Sequence, residues 1–393
     1  MIYQKTRLDD DNSNTPSNEQ ESIQGGRWIA LLGRRDEPTD GVEDYCKSLR
    51  HALAERGFSL TLVRLPWAEH GWLSAIWGLW KESSSWSGRW VLVQYTALSW
   101  SRRGFPLGLL LVVFLLGRRN ASIAVVFHDP SAYGGDRLVD RVRRGIQHIV
   151  LRGIYALADR AILPVNSAHL SWLVSQQEKA IFIPVGSNIP VPPQRPDVPA
   201  HLSGRLDVRT IAVFGITPGE SGRREMRDIQ TLVQAAAKCS SRIQLRVFGR
   251  GTMEAELELR RLFSSTGIQL SVLGLLPAEQ IGEILASSDV QIDVRASLSS
   301  RRGSAIAGIV CGTPVIGFES PETDNAIREA GVVLIPPGDM KELTAAIIRI
   351  LSDDFFREEL RQRNRIASEK YFSWTAISRR FLETLQEADT ILT

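Results

Sequence analysis

The chain has 393 residues, 43% hydrophobic and 23% charged, with a formal net charge of +3 at pH 7. That is enough apolar material for two ordinary cores and too much for a disordered chain; the small positive balance suits phosphate ligands or an anionic surface and requires neither. Cys46, Cys239 and Cys311 are scattered, odd in number and form no C-x-x-C pair, so neither a disulfide framework nor a zinc site is suggested, and a reducing, cytosolic setting fits.

Residues 1–25 are rich in Asp, Asn, Ser and Gln and lack the apolar core of a signal peptide, so they read as a disordered tail. Arg27 to Gly33 is an apolar run stopped by glycine, a buried strand. A loop containing Gly41 follows, and Tyr45, Cys46, Leu49, Ala52 and Leu53 then recur at helical spacing. Asp40 and Glu43 form a capping-box-like start, and Gly57 ends the helix. Strand, glycine loop, helix is how a Rossmann-like domain opens, although a lone glycine equally suits a plain turn. Phe58 to Leu65 is the second strand. Trp67 to Trp86 holds five tryptophans. Such rings can stack on sugars, but the preferred reading is a helix that buries its indoles.

After the strand Trp90 to Tyr95 comes the run PLGLLLVVFLLG, far too short to span a bilayer. It reads first as a buried helix. The second reading is a membrane-facing surface helix flanked by Arg102, Arg103, Arg118 and Arg119. Ser122 to Phe127 is a fully apolar strand, and His128-Asp129-Pro130 follows at once. Ligands of open α/β sheets bind beyond the carboxyl ends of strands, which places His128 and Asp129 at a cleft. A histidine there can bond a hydroxyl or move a proton; the plain alternative is a structural histidine tied to a loop carbonyl.

Tyr133-Gly134-Gly135 turns the chain. In the helix that follows, over residues 136–158, Leu138, Val139, Val142, Ile146, Ile149 and Val150 form one apolar stripe, the side a helix usually turns to a core. Arg137, Arg141, Arg143 and Arg144 lie toward its start. They read as a face for anionic lipid or a lipid diphosphate, or simply as a solvated face. Short strands follow at Ala161 to Pro164 and Lys179 to Pro184. The proline-rich stretch from Pro190 to Arg205 reads as a linker. The boundaries expected are thus 26–189 for a first domain, 190–208 for the linker, 209–372 for a second domain and 373–393 for a C-terminal helix.

The second half opens with the strand Thr210 to Gly215 and a loop through Arg224, then a helix from Glu225 to Ala237. A strand from Ile243 ends in Gly249-Arg250-Gly251, and Leu270 to Leu273 and Ala278 to Ala286 are strand and helix. This alternation is a parallel-sheet pattern. Val290, Ile292 and Val294 alternate like a strand. Ser299 and Ser300 are candidate helix caps, and Ala305, Ile306, Ile309 and Val310 share a helix face. Gly312 takes the C-terminal cap position and Pro314 stops the helix. The loop before this helix holds Arg301, Arg302, Gly303 and Ser304. Free N–H groups, a positive helix end and two guanidiniums make an anion site, best suited to a diphosphate; an ordinary crossover with two solvated arginines is the plain alternative.

Cys311-Gly312-Thr313-Pro314-Val315, the segment Gly331 to Asp339 and Tyr371-Phe372-Ser373-Trp374 resemble motifs of family 4 glycosyltransferases, retaining enzymes of the GT-B fold. Ile183 to Pro190 resembles their exit from the first domain. The resemblance runs from about Arg27 to about Leu385. It implies an α/β GT-B fold, two Rossmann-like domains facing a central cleft, with the terminal helix returning to the first. It also implies transfer of a sugar, with retention, from a nucleotide-sugar donor to a saccharide or lipid-linked acceptor. The pathway implied is cell-surface polysaccharide or glycoconjugate biosynthesis. No metal and no cofactor beyond the nucleotide-sugar co-substrate are expected, and no nucleic acid as partner. The setting expected is cytoplasmic, with peripheral contact on the inner face of the membrane.

By this resemblance His128 and Asp129 are the catalytic candidates. Gly41, Arg223, Arg224, Arg250, Ser299, Arg301, Arg302, Gly303 and Ser304 are the donor-binding candidates. The family pattern is broken where its two glutamates would stand, at Ser299 and Ala307, and where its lysine would stand, at Ser221, with Arg223 or Arg224 as the substitute. Two other classes therefore stay open: an epimerase or hydrolase of nucleotide sugars with the same fold, and a non-catalytic, glycosyltransferase-like partner protein.

Overall fold

The structure is a computed structural model, and it describes residues 27–37, 39–173, 177–192, 208–238, 242–295 and 298–392. The tail 1–25, most of the expected linker and Cys239 lie outside the described residues. The first half runs β1 (Arg27–Leu32), α1 (Gly41–Ala54), β2 (Ser59–Arg64), α2 (Trp67–Glu82), β3 (Trp90–Tyr95), α3 (Gly108–Arg118), β4 (Ser122–Phe127), α4 (Leu138–Leu157), β5 (Arg160–Leu163) and β6 (Ala180–Phe182). Its strands form one six-stranded sheet, ordered β2-β1-β3-β4-β5-β6, with every pair parallel.

The second half runs β7 (Val208–Phe214), α5 (Glu220–Ala237), β8 (Arg242–Phe248), α6 (Thr252–Phe263), β9 (Gln269–Gly274), α7 (Ala278–Ala286), β10 (Val290–Asp293), α8 (Gly303–Val310), β11 (Val315–Phe318), α9 (Asn325–Glu329) and β12 (Val333–Ile335). α10 (Met340–Ser352), α11 (Asp354–Ala367) and α12 (Trp374–Leu392) complete it. These strands form a second parallel sheet, ordered β12-β11-β10-β7-β8-β9. Two doubly wound sheets in sequence make this an α/β protein of two Rossmann-like domains.

The central strands are apolar because helices cover both faces of the sheet. β3 is buried throughout, from Trp90 to Tyr95. On one side Val91, Val93, Val125 and Phe127 meet residues of α2, α3 and α4. On the other side Leu92, Ala124 and Val126 meet α1 and the C-terminal helix. That helix, α12, places Ile377, Phe381 and Leu385 in the first domain's core beside Tyr45 and Leu49. Trp374 anchors its start by donating from Nε1 to the Ser187 carbonyl at 2.7 Å.

Three local expectations change. α5 begins at Glu220, five residues before the start expected from the sequence. Gly219, at φ 79°, turns the chain there, and Glu225 reaches back to accept from the Thr217 N–H at 2.9 Å. Ser299 and Ser300 do not cap α8: Arg302 holds the cap position, and the Ser300 hydroxyl and N–H go instead to Asp324 at 2.7 and 2.9 Å. The expected apolar stripe of α4 is split: Val150 is buried and Ile146 packs on the core, but Leu138, Val139, Val142 and Ile149 are exposed. Its inner face instead carries Asp140, Gln147, Val150, Leu151 and Ile154. In the tryptophan segment Trp67 and Trp86 are buried, whereas Trp77 is exposed, and α2 kinks at Gly71.

Candidate active site

The carboxyl ends of both sheets point at one another across a cleft of about 780 Å³. From the first domain it is lined by the turn after β1, the start of α1 at Gly41, and Gln94, His128 and Asp129 at the ends of β3 and β4. From the second come Gly215, Arg250, Arg295 and the run Arg301 to Ser304. The turn after β1 passes so close to the next segment that a Cβ on Gly33 would lie 2.3 Å from the Ser99 carbonyl oxygen, so only glycine fits. Asp40 then caps α1, accepting from the N–H groups of Val42 and Glu43 at 3.2 and 3.1 Å. Its other oxygen, with Glu43, holds Arg64 at 3.0 and 2.7 Å.

His128 bonds through Nε2 to Oε1 of Gln94 at 2.8 Å. The Gln94 amide nitrogen is committed to the Leu92 carbonyl at 3.1 Å, so its oxygen is the acceptor and Nε2 carries the proton. Nδ1 is thereby left with a lone pair. Tyr45 stands edge-on to the imidazole at 4.9 Å between ring centres. Burial pushes the His128 pKa down to about 4, against the opposing pull of Asp40. The ring is neutral at pH 7. In the unfolded chain it titrates near its usual 6.5, so between 6.5 and 4 the unfolded state binds more protons. The stability this group contributes is complete above the upper value and is lost as pH falls through that window. Replacing it with a group that cannot titrate, as in His128→Asn, should flatten that part of the melting-temperature profile. A profile with the wild-type slope between those values would contradict a depressed His128.

Asp129 faces the second domain. Burial raises its pKa, the Arg301 guanidinium at 3.4 Å lowers it, and Glu322 raises it again. Arg301 is held more closely by Glu322, at 2.9 Å from Nε, and Glu322 also accepts from Ser131 at 3.2 Å. At another edge of the cleft Arg250 reaches Asp36 at 3.1 Å and Thr39 at 3.2 Å. Carboxylates and a hydroxyl of the first domain thus engage arginines of the second at two places.

Between these contacts lies the start of α8. No side chain caps it, so the first-turn N–H groups beginning at Gly303 and Ser304 open onto the cleft. Ser304 donates to Asp293 at 2.9 Å and accepts from Arg295 at 2.8 Å; Arg295 also holds the Phe214 carbonyl at 2.7 Å. The Arg302 guanidinium is largely buried, which lowers its pKa, and Asp293 nearby supports its charge. A guanidinium keeps its proton in either case. An uncapped helix start with several guanidiniums around it binds phosphate groups by directed N–H donors and by charge.

Eight of the eleven residues singled out by sequence line this cleft: Gly41, His128, Asp129, Arg250, Arg301, Arg302, Gly303 and Ser304. Three do not. Arg223 and Arg224 stand exposed on α5, because that helix starts early and turns them to solvent. Ser299 is fully buried, and its hydroxyl finds no partner among the described residues. Two contributors went unnoticed in the sequence. Gln94 stands one residue before the end of β3, and Arg295 two residues past β10; the strand-end rule that picked out His128 applies to both.

Residues 217–353 match the family model described as "Glycosyl transferases group 1". The second half of the chain carries a group 1 glycosyltransferase domain. The whole chain has the GT-B fold seen in solved structures. The HepE protein of Anabaena, in complex with UDP and glucose, superposes at a TM-score of 0.63 with 14% identity, over 92% of this chain and 100% of that one. Sucrose-phosphate synthase from Thermosynechococcus elongatus gives 0.65 with 19% identity, over 93% and 100%. A glycosyltransferase from Rickettsia africae gives 0.65 with 14% identity, over 93% and 99%. No curated protein sequence matches the chain. The start of α8, at Arg301 to Ser304, falls inside the matched segment, and His128 and Asp129 line the same cleft from the other domain.

Proposed function

We propose that the protein moves a sugar from a nucleotide-sugar donor to a saccharide or lipid-linked acceptor, with retention of configuration, in the making of a cell-surface polysaccharide or glycoconjugate. The observation that carries this reading is the uncapped start of α8 beside Arg302, Arg301 and Arg295, opening on a cleft that His128 and Asp129 share. The donor's diphosphate would lie against the α8 N–H groups and these guanidiniums. As the bond from the sugar's anomeric carbon to the diphosphate oxygen breaks, its electron pair stays with the diphosphate. The cations stabilise that growing charge without calling on a metal ion. The acceptor hydroxyl forms the new bond on the face the diphosphate leaves, as retention requires, and its proton passes to a departing diphosphate oxygen. Neutral His128, with its Nδ1 lone pair, is placed to bond a sugar hydroxyl or to take part in that transfer. The nucleotide sugar is the co-substrate, and no further cofactor enters the scheme. The setting is cytoplasmic.

The solved HepE structure holds UDP and glucose, so UDP and UDP-sugars head the panel of candidate donors. A ligand that binds only the native state raises the melting temperature, by an amount set by its concentration over Kd. At least one nucleoside diphosphate or nucleotide sugar should produce such a shift, and transfer to an acceptor should follow with the same donor. The fully buried Ala307 leaves no carboxylate on α8 to hold a ribose, which favours a second reading as a non-catalytic relative. Absence of any nucleotide-dependent shift would select that reading. Donor breakdown or isomerisation with no acceptor present would select a hydrolase or epimerase.

A further inference from the structure

Helices α2, α3 and α4 lie side by side on one face of the first sheet. The Trp72 ring of α2 rests against the backbone of Gly108 in α3, and Leu110 of α3 rests against Gly153 in α4. A helix layer over a core normally turns apolar residues inward and polar ones outward. This layer is apolar on both sides. Leu73 and Trp77 of α2 are 92% and 62% exposed, and Leu111 and Phe114 of α3 are half exposed. On α4 Leu138 and Ile149 are 78% and 62% exposed, with Val142 between them. At 3.6 residues per turn Leu138, Val142 and Ile149 fall on the side opposite the buried Gln147 and Leu151.

The same face is strongly basic. Between residues 67 and 158 there are eleven Lys and Arg against five Asp and Glu. Two of those five acids are already engaged, Asp140 by Arg143 and Asp129 by Arg301 in the cleft. Arg103, Arg118, Arg137 and Arg141 are exposed, and among the described residues none of them has a carboxylate partner. A second copy of this face would bring like charges together in a two-fold contact. A bilayer with anionic headgroups offers both complements at once, an apolar boundary for the stripe and negative charge for its flank. No described helix is long and apolar enough to cross a membrane, so the contact is confined to the surface.

We propose that the outer face of α2, α3 and α4 docks on an anionic lipid bilayer. Trp77, Phe114, Leu138, Val142 and Ile149 enter the headgroup boundary, and Arg137 and Arg141 meet the headgroup phosphates. Because α4 follows β4, it begins at the carboxyl edge of the sheet, the edge that carries His128. Docking therefore brings the cleft to the membrane, where a lipid-borne acceptor would be presented. The inference rests on the surface and not on sugar transfer, so vesicle binding and nucleotide binding can fail separately.

The test is flotation of the full chain with vesicles of phosphatidylcholine alone and of phosphatidylcholine mixed with phosphatidylglycerol, at low and at raised salt. Two variants accompany it: Leu138→Ser/Val142→Ser/Ile149→Ser and Arg137→Ala/Arg141→Ala. The wild type should float with the anionic vesicles, less as salt rises, and not with the neutral ones. The arginine variant should partition about tenfold less or weaker still. The apolar variant should fail to float even at low salt, with the melting temperature of the wild type. Absence of flotation on anionic vesicles at low salt overturns the proposal, as does flotation of both variants like wild type. Sedimentation that shows a dimer abolished by the apolar variant, with no vesicle binding, would assign the face to a second copy instead. Should the apolar variant misfold, the arginine variant decides on its own.

Discussion

Arg302→Ala should lower the affinity for a nucleoside diphosphate by about ten- to a hundredfold, the loss of one charged contact of roughly 1.5–3 kcal/mol. The corresponding nucleoside should bind the variant as it binds wild type. Arg302 lines the cleft at the cap position of α8, where its guanidinium and the helix N–H groups would converge on the same oxygens. Arg301→Ala should also weaken the diphosphate, by a different route. Arg301 now neutralises Glu322 at 2.9 Å and Asp129 at 3.4 Å. Its removal deletes one cation and leaves two carboxylates facing the incoming charge. Adding Glu322→Gln should therefore restore part of the affinity lost in Arg301→Ala and none of that lost in Arg302→Ala. Titration calorimetry of wild type, Glu322→Gln, the two arginine variants and each arginine variant combined with Glu322→Gln separates these effects as two double-mutant cycles. If both single variants bind the diphosphate as wild type does, the start of α8 is not the phosphate site, and the non-catalytic reading gains.

His128→Ala should lower turnover by about ten- to a thousandfold, the range typical of a lost acid–base or hydrogen-bonding contact in a transition state. From its position after a strand alone, one would expect stability to hold. The structure changes that expectation. The ring satisfies the side-chain oxygen of Gln94, which is 1% exposed, and its loss leaves a buried acceptor unpaired. A cost of roughly 1–3 kcal/mol follows. Gln94→Leu breaks the same bond from the other end and serves as the control. If His128 acts on substrate, His128→Ala should lose far more turnover than Gln94→Leu. Equal losses in the two variants would make His128 a positioning residue for the cleft wall.

Much of the architecture was legible because the central strands are buried on both faces. Such strands read as continuous apolar runs, and SIAVVF admits little else. The order of strand and helix then implied parallel sheets and a cleft at their carboxyl ends. What failed were questions that local pattern cannot answer. On α4 the period was clear, but the inward face was not. Its inner side holds Gln147 and Asp140, which composition alone assigns to solvent. They are buried because their partners are built in: Gln147 accepts from the Tyr133 N–H at 2.7 Å and donates to the Gly104 carbonyl at 2.9 Å, and Asp140 pairs with Arg143 at 2.9 Å. None of those pairings is visible to periodicity. Arg223 and Arg224 were misplaced for a related reason. The polar run from Gly219 to Glu225 looks like a loop until Glu225 is seen to close the turn through Thr217. The links from Arg301 to Asp129 and from Arg250 to Asp36 join residues far apart in the chain, and only the folded cleft shows them.

α12 comes after every strand of the second domain, yet Ile377, Phe381 and Leu385 fill a side of the first domain's core that Tyr45 and Leu49 begin. The domain synthesised first is therefore finished last. Until α12 is made, the α1 face waits with an apolar groove uncovered, and a chain cut short before Trp374 would carry that groove permanently. α12 acts as the closing seam of the first domain.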